Sequence, residues 1–252
     1  MIIQSAALSH SGKVREQNED NLFFDGAYVK DPSNREEFFE LEKDTDYCTF
    51  AVCDGMGGEK YGEEASLMAV TALAEFDSAD ISQNINAFIE KANNQICDEM
   101  KARRVNQMGC TVAMLAFHDD RVTACNIGDS RIYLFDDNSL MQISEDHRSE
   151  SVAGRSGVLT QHLGVKPEEF ILEPYVVDDI DIRPGMLFLI CSDGITDMVL
   201  DTKIEELVSK YREKKPLEIA VELVTAAMVN GGRDNATIIV IKILGERGSE
   251  NR

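Results

Sequence analysis

Residues 49–58, TFAVCDGMGG, decide how the rest of the chain is read. Four apolar residues, Phe50-Ala51-Val52-Cys53, run straight into an acid, Asp54, and then into three glycines within four positions. A buried strand that delivers a carboxylate to its tip needs a partner for the charge there. An ionised carboxylate out of water costs several kcal/mol, so it pairs, protonates or binds a cation. The glycines keep side chains away from the tip and let backbone groups approach a ligand. An isolated Asp-Gly is a turn signal and no more.

The chain repeats the device. Residues 186–194, MLFLICSDG, form a second apolar run ending in Asp193-Gly194. Residues 124–131, ACNIGDSR, form a third, with Asp129 after Gly128. Residues 231–241, GGRDNATIIVI, mirror it, with Asp234 at the entrance of a strand. Residues 15–21, REQNEDN, place Glu19 and Asp20 just before Leu22-Phe23-Phe24. Five acidic clusters at strand ends, most beside glycine, are not five independent turns.

Composition narrows the function. Lys and Arg number 25 against 46 Asp and Glu, a net charge of −21, whereas a nucleic-acid partner calls for a basic surface. Most of those carboxylates read as a solvated face. The first ten residues, MIIQSAALSH, lack the basic start and long apolar core of a signal peptide. No apolar run approaches the roughly 20 residues of a membrane span. The six cysteines form no CxxC pair, and Cys53, Cys110, Cys125 and Cys191 lie in or beside apolar strands as buried thiols. A cytoplasmic protein with neither membrane nor nucleic-acid partner is expected.

Periodicity gives the elements. Strands are expected at 2–9, 22–29, 47–53, 170–177, 186–191 and 235–244. Helical stripes cover 62–76 and 82–104, the latter with Ser82 as N-cap, and 201–211 and 216–229, the last with Pro216 in its first turn. Short strands at 111–117, 121–127, 131–135 and 140–143 read as one antiparallel meander. Residues 30–46 are acidic, carry Pro32 and read as a long loop. Residues 148–166, with Gly154, Gly157 and Gly164, read as a mobile flap. Residues 1–244 are expected to be one catalytic domain and 245–252 a short polar tail. Helices come in pairs between runs of antiparallel strands, without βαβ alternation. That predicts an α+β fold, two packed antiparallel sheets flanked by helix pairs in four α-β-β-α layers.

Asp, Glu and a Gly carbonyl are hard oxygen ligands, and neither His nor Cys stands among the motif acids. Mg²⁺ or Mn²⁺ therefore fits better than zinc. Several carboxylates with one bridging member suit a two-metal centre, which makes hydroxide at neutral pH and neutralises charge on a phosphoryl group. Arg15, four residues before Glu19, is placed for a bidentate phosphate clamp, though an arginine among acids is more often an ion-pair partner.

SGKVREQNEDN, FAVCDGMGG, GCTVAML, NIGDSRIYL, QISEDHRS, LICSDGITD and GGRDNATIIVI resemble, in order and across residues 2–243, the motif series of the bacterial-type metal-dependent Ser/Thr protein phosphatases, the PPM or type-2C family. The resemblance implies a phosphoprotein phosphatase with the metal site at one edge of a β-sandwich. By that resemblance it would hydrolyse phosphoserine and phosphothreonine by direct attack of a metal-bridging hydroxide, without a phosphoenzyme. Asp54 would bridge two core ions, with the Gly55 carbonyl on one and Asp193 and Asp234 on the other. Glu19 and Asp20 would hold water ligands. Asp129, with Asp193 and Asp197, would hold a weaker third ion, and Arg15 would bind the substrate phosphate. Phosphorylated proteins, a cognate Ser/Thr kinase and a monomeric state are implied by analogy. A non-catalytic phospho-binding regulator of the same fold and a small-molecule phosphomonoesterase are the alternatives.

The chain departs from the pattern at three positions. Cys110 stands where Thr is usual, Arg148 where Ser is common, and Met56 where animal members carry His. The proton for the leaving group then comes from water at the ions or from His162 in the flap. His147 reads as a structural hydrogen-bonder. CDEMKAR at 97–103 matches the spacing of cysteine-based phosphatases, but it lacks glycine and lies in a helical pattern, so Cys97 is no nucleophile.

Overall fold

Two six-stranded antiparallel sheets face each other across an apolar core in the computed structural model, which describes residues 1–31, 33–56, 61–149 and 157–245. In chain order the strands are β1 (Ile2–His10), β2 (Asn21–Phe24), β3 (Ala27–Tyr28), β4 (Glu36–Asp44), β5 (Tyr47–Cys53), β6 (Gly55–Met56), β7 (Gly109–Cys110), β8 (Val112–His118), β9 (Arg121–Ile127), β10 (Arg131–Asp136), β11 (Ser139–Gln142), β12 (Tyr175–Asp181), β13 (Leu187–Cys191) and β14 (Ala236–Gly245). One sheet runs β11-β10-β13-β14-β1-β4, the other β12-β9-β8-β5-β2-β3, and β6 pairs with β7. Helices α1 (Gly62–Leu73) and α2 (Ile85–Arg103) cover the second sheet. The short α3 (Asp193–Thr196) follows β13, and α4 (Asp201–Tyr211) and α5 (Pro216–Val229) cover the first sheet. These are the expected four layers.

Strand β5 is buried from Cys48 to Cys53 because each of its faces meets an apolar layer. Phe50 and Val52 enter the core between the sheets, and Ala51 and Cys53 face α1 and α2. Strand β14 does the same, with Ile239, Ile241 and Ile243 inward and Ile238 and Val240 toward α5. A strand buried on both faces loses its polar alternation and reads as a continuous apolar run. Phe117 bridges the sheets, edge-on to Phe50 at 6.1 Å and to Phe188 at 5.5 Å. Such pairs add about 0.5–1.5 kcal/mol each beyond the area they bury.

The structure corrects five local readings. Residues 36–44, expected in a loop, form the nine-residue strand β4, paired with β1 from Ile2↔Asp44 to His10↔Glu36. Phe39 and Leu41 pack on the core while Glu36, Glu40, Glu42 and Asp44 share the other face with the exposed Phe38, the charge-rich pattern of a protected sheet edge. The run 111–143 is not one meander. Strands β8 and β9 pair in one sheet, β10 and β11 in the other, and residues 128–130 cross between them. Helix α2 begins at Ile85, and Ser82 lies in the 3₁₀ turn Ile81–Gln83 that precedes it. The strand expected at 170–177 runs Tyr175–Asp181, beyond Pro174. The described part of the flap is anchored: Leu163 is buried and bridges Cys110, and Gly164 N–H and Val165 N–H donate to Asn93 Oδ1 at 2.8 and 3.0 Å. Residues 150–156 of the flap and 246–252 of the tail lie outside the described residues.

Candidate metal centre

Register brings the acidic tips to one edge. Asn21 faces Cys53 across β2 and β5, so Asp20 and Asp54 leave the same end of the sheet. In the facing sheet Cys191 pairs with Ile238, which sets Asp193 beside the entrance of β14 and hence near Asp234. Val112 pairs with Ile127, so Thr111 lies beside the crossing that carries Asp129. A cavity of about 260 Å³ opens at this edge. Asp54, Asp129, Asp193 and Asp234 line it, with Arg15 and Arg148. Glu19, Gly55, Met56, Thr111 and Leu159 also line it.

The backbone is held tightly around it. Gly55 N–H donates to the Glu19 carbonyl at 3.2 Å, and Ser66 Oγ donates to the same carbonyl at 2.7 Å. A Cβ on Gly55 would stand 2.2 Å from the Gly62 carbonyl oxygen, so only glycine fits. Asn235 Oδ1 accepts the Glu19 N–H at 2.8 Å, and its amide donates to the carbonyls of Ser11 and Gln17. His147 closes the crossing: its N–H donates to the Gly128 carbonyl at 3.0 Å and its Nδ1 accepts the Gly128 N–H at 3.1 Å. That is the structural role expected of it.

The electrostatics show a place short of positive charge. Asp20 is 3% exposed, Ser192 Oγ donates to its Oδ2 at 2.7 Å, and its Oδ1 has no hydrogen-bond partner among the described residues. Burial, with repulsion from Asp193 and Asp234, pushes the Asp20 carboxyl up to about 7. Burial and repulsion from Asp20, Asp193 and Asp129 push Asp54 well above the carboxylate range. Burial and its neighbours Asp129 and Asp197 push Asp193 up to about 6. Burial also raises Glu19. An orphaned buried carboxylate oxygen among mutually repelling acids suits hard divalent cations.

Two guanidiniums supply part of the missing charge. Arg15 Nη2 donates to Asp234 Oδ2 at 2.7 Å, and its Nη1 lies 3.8 Å from Glu19 Oε2. Arg148 Nε donates to Asp129 Oδ2, its Nη2 donates to Asp193 Oδ2 at 2.7 Å, and its Nη1 is 3.7 Å from Asp197 Oδ1. Among the described residues no three His, Cys, Asp or Glu side chains are gathered into a cage. Unneutralised carboxylates repel one another, and the arginines draw Asp129, Asp193 and Asp234 to themselves.

Of the expected residues, Arg15, Glu19, Asp54, Gly55, Asp129, Asp193 and Asp234 share the cavity, Asp20 lies buried within reach of Asp54, and Asp197 joins through Arg148. His162 does not line it. Its ring faces a neighbouring groove of about 490 Å³ that shares Met56 with the cavity, and its Nδ1 donates to the Leu163 carbonyl at 2.8 Å. Cys97 is buried in α2, as expected of a thiol with no part in chemistry. Sequence reading passed over Thr111, Ser192 and Asn235 as site residues, and Arg148 as anything beyond a departure. Ser192 and Asn235 adjoin motif acids, and that adjacency was the available signal.

The family model described as Protein phosphatase 2C matches residues 29–218. The serine/threonine phosphatase stp of Listeria welshimeri serovar 6b is 29% identical over 250 residues, covering 92% of each chain. The serine/threonine protein phosphatase PstP of Mycobacterium tuberculosis is 28% identical over 259 residues, 97% of this chain and 46% of PstP. A crystal structure of that phosphatase matches with a TM-score of 0.79 over 97% of this chain and 100% of its own. The PstP catalytic domain in complex with two manganese ions matches with a TM-score of 0.77 at 28% identity, over the same shares of each chain.

Proposed function

This chain belongs to the protein phosphatase 2C family, and we propose that it is a metal-dependent phosphatase of phosphoserine and phosphothreonine in proteins. The observation that carries this reading is the acid cluster at the cavity, with half-buried Asp54 on its wall and buried Asp20 nearby, whose Oδ1 has no hydrogen-bond partner among the described residues. Asp54, the Gly55 carbonyl, Asp193 and Asp234 would hold two core Mn²⁺ or Mg²⁺ ions, with Glu19 and Asp20 behind them as acceptors for water. When bound, the ions supply hydroxide at neutral pH for direct attack and neutralise charge on the phosphoryl group, so no phosphoenzyme forms.

The chain's own residues do the positioning. Arg15 stands at the rim with half its side chain exposed, paired to Asp234. Once Asp234 serves an ion, the Arg15 fork is free for two oxygens of a phosphate. The groove beside the cavity, walled by Met56, Gly109 and His162, is where the chain flanking a phosphorylated side chain would lie. With His162 turned to the Leu163 carbonyl, water in the site is the favoured proton donor to the leaving alkoxide. Asp129, Asp193 and Asp197, the carboxylates on which the family resemblance would place a third, weaker ion, are already engaged by Arg148. The reading further places residues 1–244 in one catalytic domain, acting as a cytoplasmic monomer opposite a Ser/Thr kinase with shared substrates.

Parallel assays on a phosphoserine peptide and p-nitrophenyl phosphate test it. Both hydrolyses should require Mn²⁺ or Mg²⁺ and stop in chelator, and Asp54→Asn or Asp234→Asn should remove nearly all activity from a folded chain. Full activity in chelator would sink the metal reading. Hydrolysis of small phosphoesters with none on phosphopeptides would make the chain a small-molecule phosphomonoesterase.

A further inference from the structure

Arg148 reaches into the cavity from a backbone that is fixed on both sides. The His147 N–H donates to the Gly128 carbonyl at 3.0 Å, the Thr160 N–H to the His147 carbonyl at 2.8 Å, and the Ser149 N–H to the Val158 carbonyl at 2.9 Å. Arg148 itself bridges Leu159 in antiparallel fashion. Its side chain is 23% exposed, and its three nitrogens address three carboxylates, Asp129, Asp193 and Asp197. Asp129 is 4% exposed at its side chain and has been pulled into this contact despite the cost of burying it. These are the carboxylates on which the resemblance would place a third ion. A guanidinium cannot lose its proton at any working pH, so a divalent ion there would face a fixed positive charge competing for the same oxygens.

We propose that the Arg148 guanidinium is the resident cation of this third position, so that the protein carries two divalent ions and an arginine where a three-ion centre would carry a third metal. The inference rests on the phosphatase reading and concerns residues that reading leaves outside the two-ion core, save Asp193. Arg148 acts as a positioning residue: it neutralises Asp129, aligns Asp193 toward the core and closes that side of the cavity. A tethered cation cannot be diluted away, so occupancy at this position does not vary with free metal. Serine at 148 is short and neutral and would leave Asp129, Asp193 and Asp197 open to an ion.

Counting Mn²⁺ per chain by calorimetry and by spin-resonance titration of free Mn²⁺ tests this without turnover. Wild type should bind two ions, and Arg148→Ser should gain a third, weaker one. Arg148→Ser combined with Asp129→Asn should return to two. Arg148→Lys, which keeps a tethered cation and leaves the packing least disturbed, should stay at two. Three ions on wild type would overturn the proposal, and that measurement needs no variant to fold. Two ions on a folded Arg148→Ser would overturn it as well, since the arginine would then not be what occupies the position. A chain that binds no divalent ion in any form would overturn the phosphatase reading, and this inference with it.

Discussion

Thr111 and Asp54 hold each other at both ends: the Asp54 N–H donates to Thr111 Oγ1 at 3.0 Å, and the Thr111 N–H donates to the Asp54 carbonyl at 2.9 Å. The same hydroxyl lies 2.7 Å from Ser130 Oγ, next to Asp129. One buried side chain therefore ties the bridging acid of the proposed core to the loop that crosses between the sheets. Thr111→Val keeps the shape and removes the hydroxyl, leaving the Asp54 N–H unsatisfied. A buried orphan of this kind costs about 1–3 kcal/mol. In a chain of this size each kcal/mol lowers Tm by about 2–4 °C. Calorimetry should show a folded, less stable protein, and Mn²⁺ titration should show weaker binding. Unchanged Mn²⁺ affinity would mean that Thr111 serves the fold and not the site.

Arg15 is engaged by Asp234 and Glu19, so its part in phosphate binding has to be separated from its part in holding apo carboxylates apart. Arg15→Ala should raise KM for a phosphopeptide severalfold more than it changes Mn²⁺ affinity. Arg15→Lys should recover little, because an ammonium lacks the planar two-pronged donor set. Kinetics equal to wild type would leave Arg15 as an ion-pair partner only.

His162 faces the groove and not the carboxylates. A seryl alkoxide needs a proton as the P–O bond breaks, and general acid catalysis contributes about 10²–10⁴-fold where it operates. A nitrophenolate leaves without one. If His162 only shapes the groove, His162→Ala should slow the phosphoserine peptide and p-nitrophenyl phosphate by similar factors. A loss confined to the peptide, with an altered pH–rate profile, would make His162 the acid.

His147 offers a pH test on the scaffold. Burial holds its pKa below the ordinary 6.5, against the opposing pull of Glu145, Asp146 and Asp129. The unfolded chain therefore takes up the proton first. The contribution of neutral His147 is complete above the unfolded pKa and is lost as pH falls below it. Protonation also removes the acceptor for the Gly128 N–H. The stability advantage of wild type over His147→Gln, measured by urea midpoints, should shrink as pH falls below the unfolded value of about 6.5. An advantage that grows on acidification would mean that the charged form is the one the fold prefers.

Much of this protein was legible because its decisive signals are local. An apolar run that ends in an acid beside glycine says that a carboxylate sits at the tip of a buried strand; Asp54, Asp129 and Asp193 are legible that way, and Asp234 by the mirrored pattern at the entrance of a strand. The spans expected for α4 and α5, 201–211 and 216–229 with Pro216 opening the latter, match residue for residue. Strand β4 was missed because charge hid its alternation: an edge strand needs only Phe39 and Leu41 inward to hold its place.

Periodicity reports whether a side chain is buried, but it does not say which strand lies alongside. Only the tertiary structure could divide residues 111–143 between two sheets, since pairing is set by long-range register. That division carries Asp129 to the edge occupied by Asp54 and Asp193. It also decided the two readings that bear most on mechanism. His162, in a glycine-rich stretch that looked free to swing, is fastened through Leu163 and Asn93 beside the cavity. Arg148, which the sequence marked as a substitution and nothing more, lies against three carboxylates from two distant places in the chain, Asp129 in the crossing and Asp193 and Asp197 at the two ends of α3. Which anions a long cationic side chain meets depends on the convergence of loops far apart in the chain, and no local pattern encodes that.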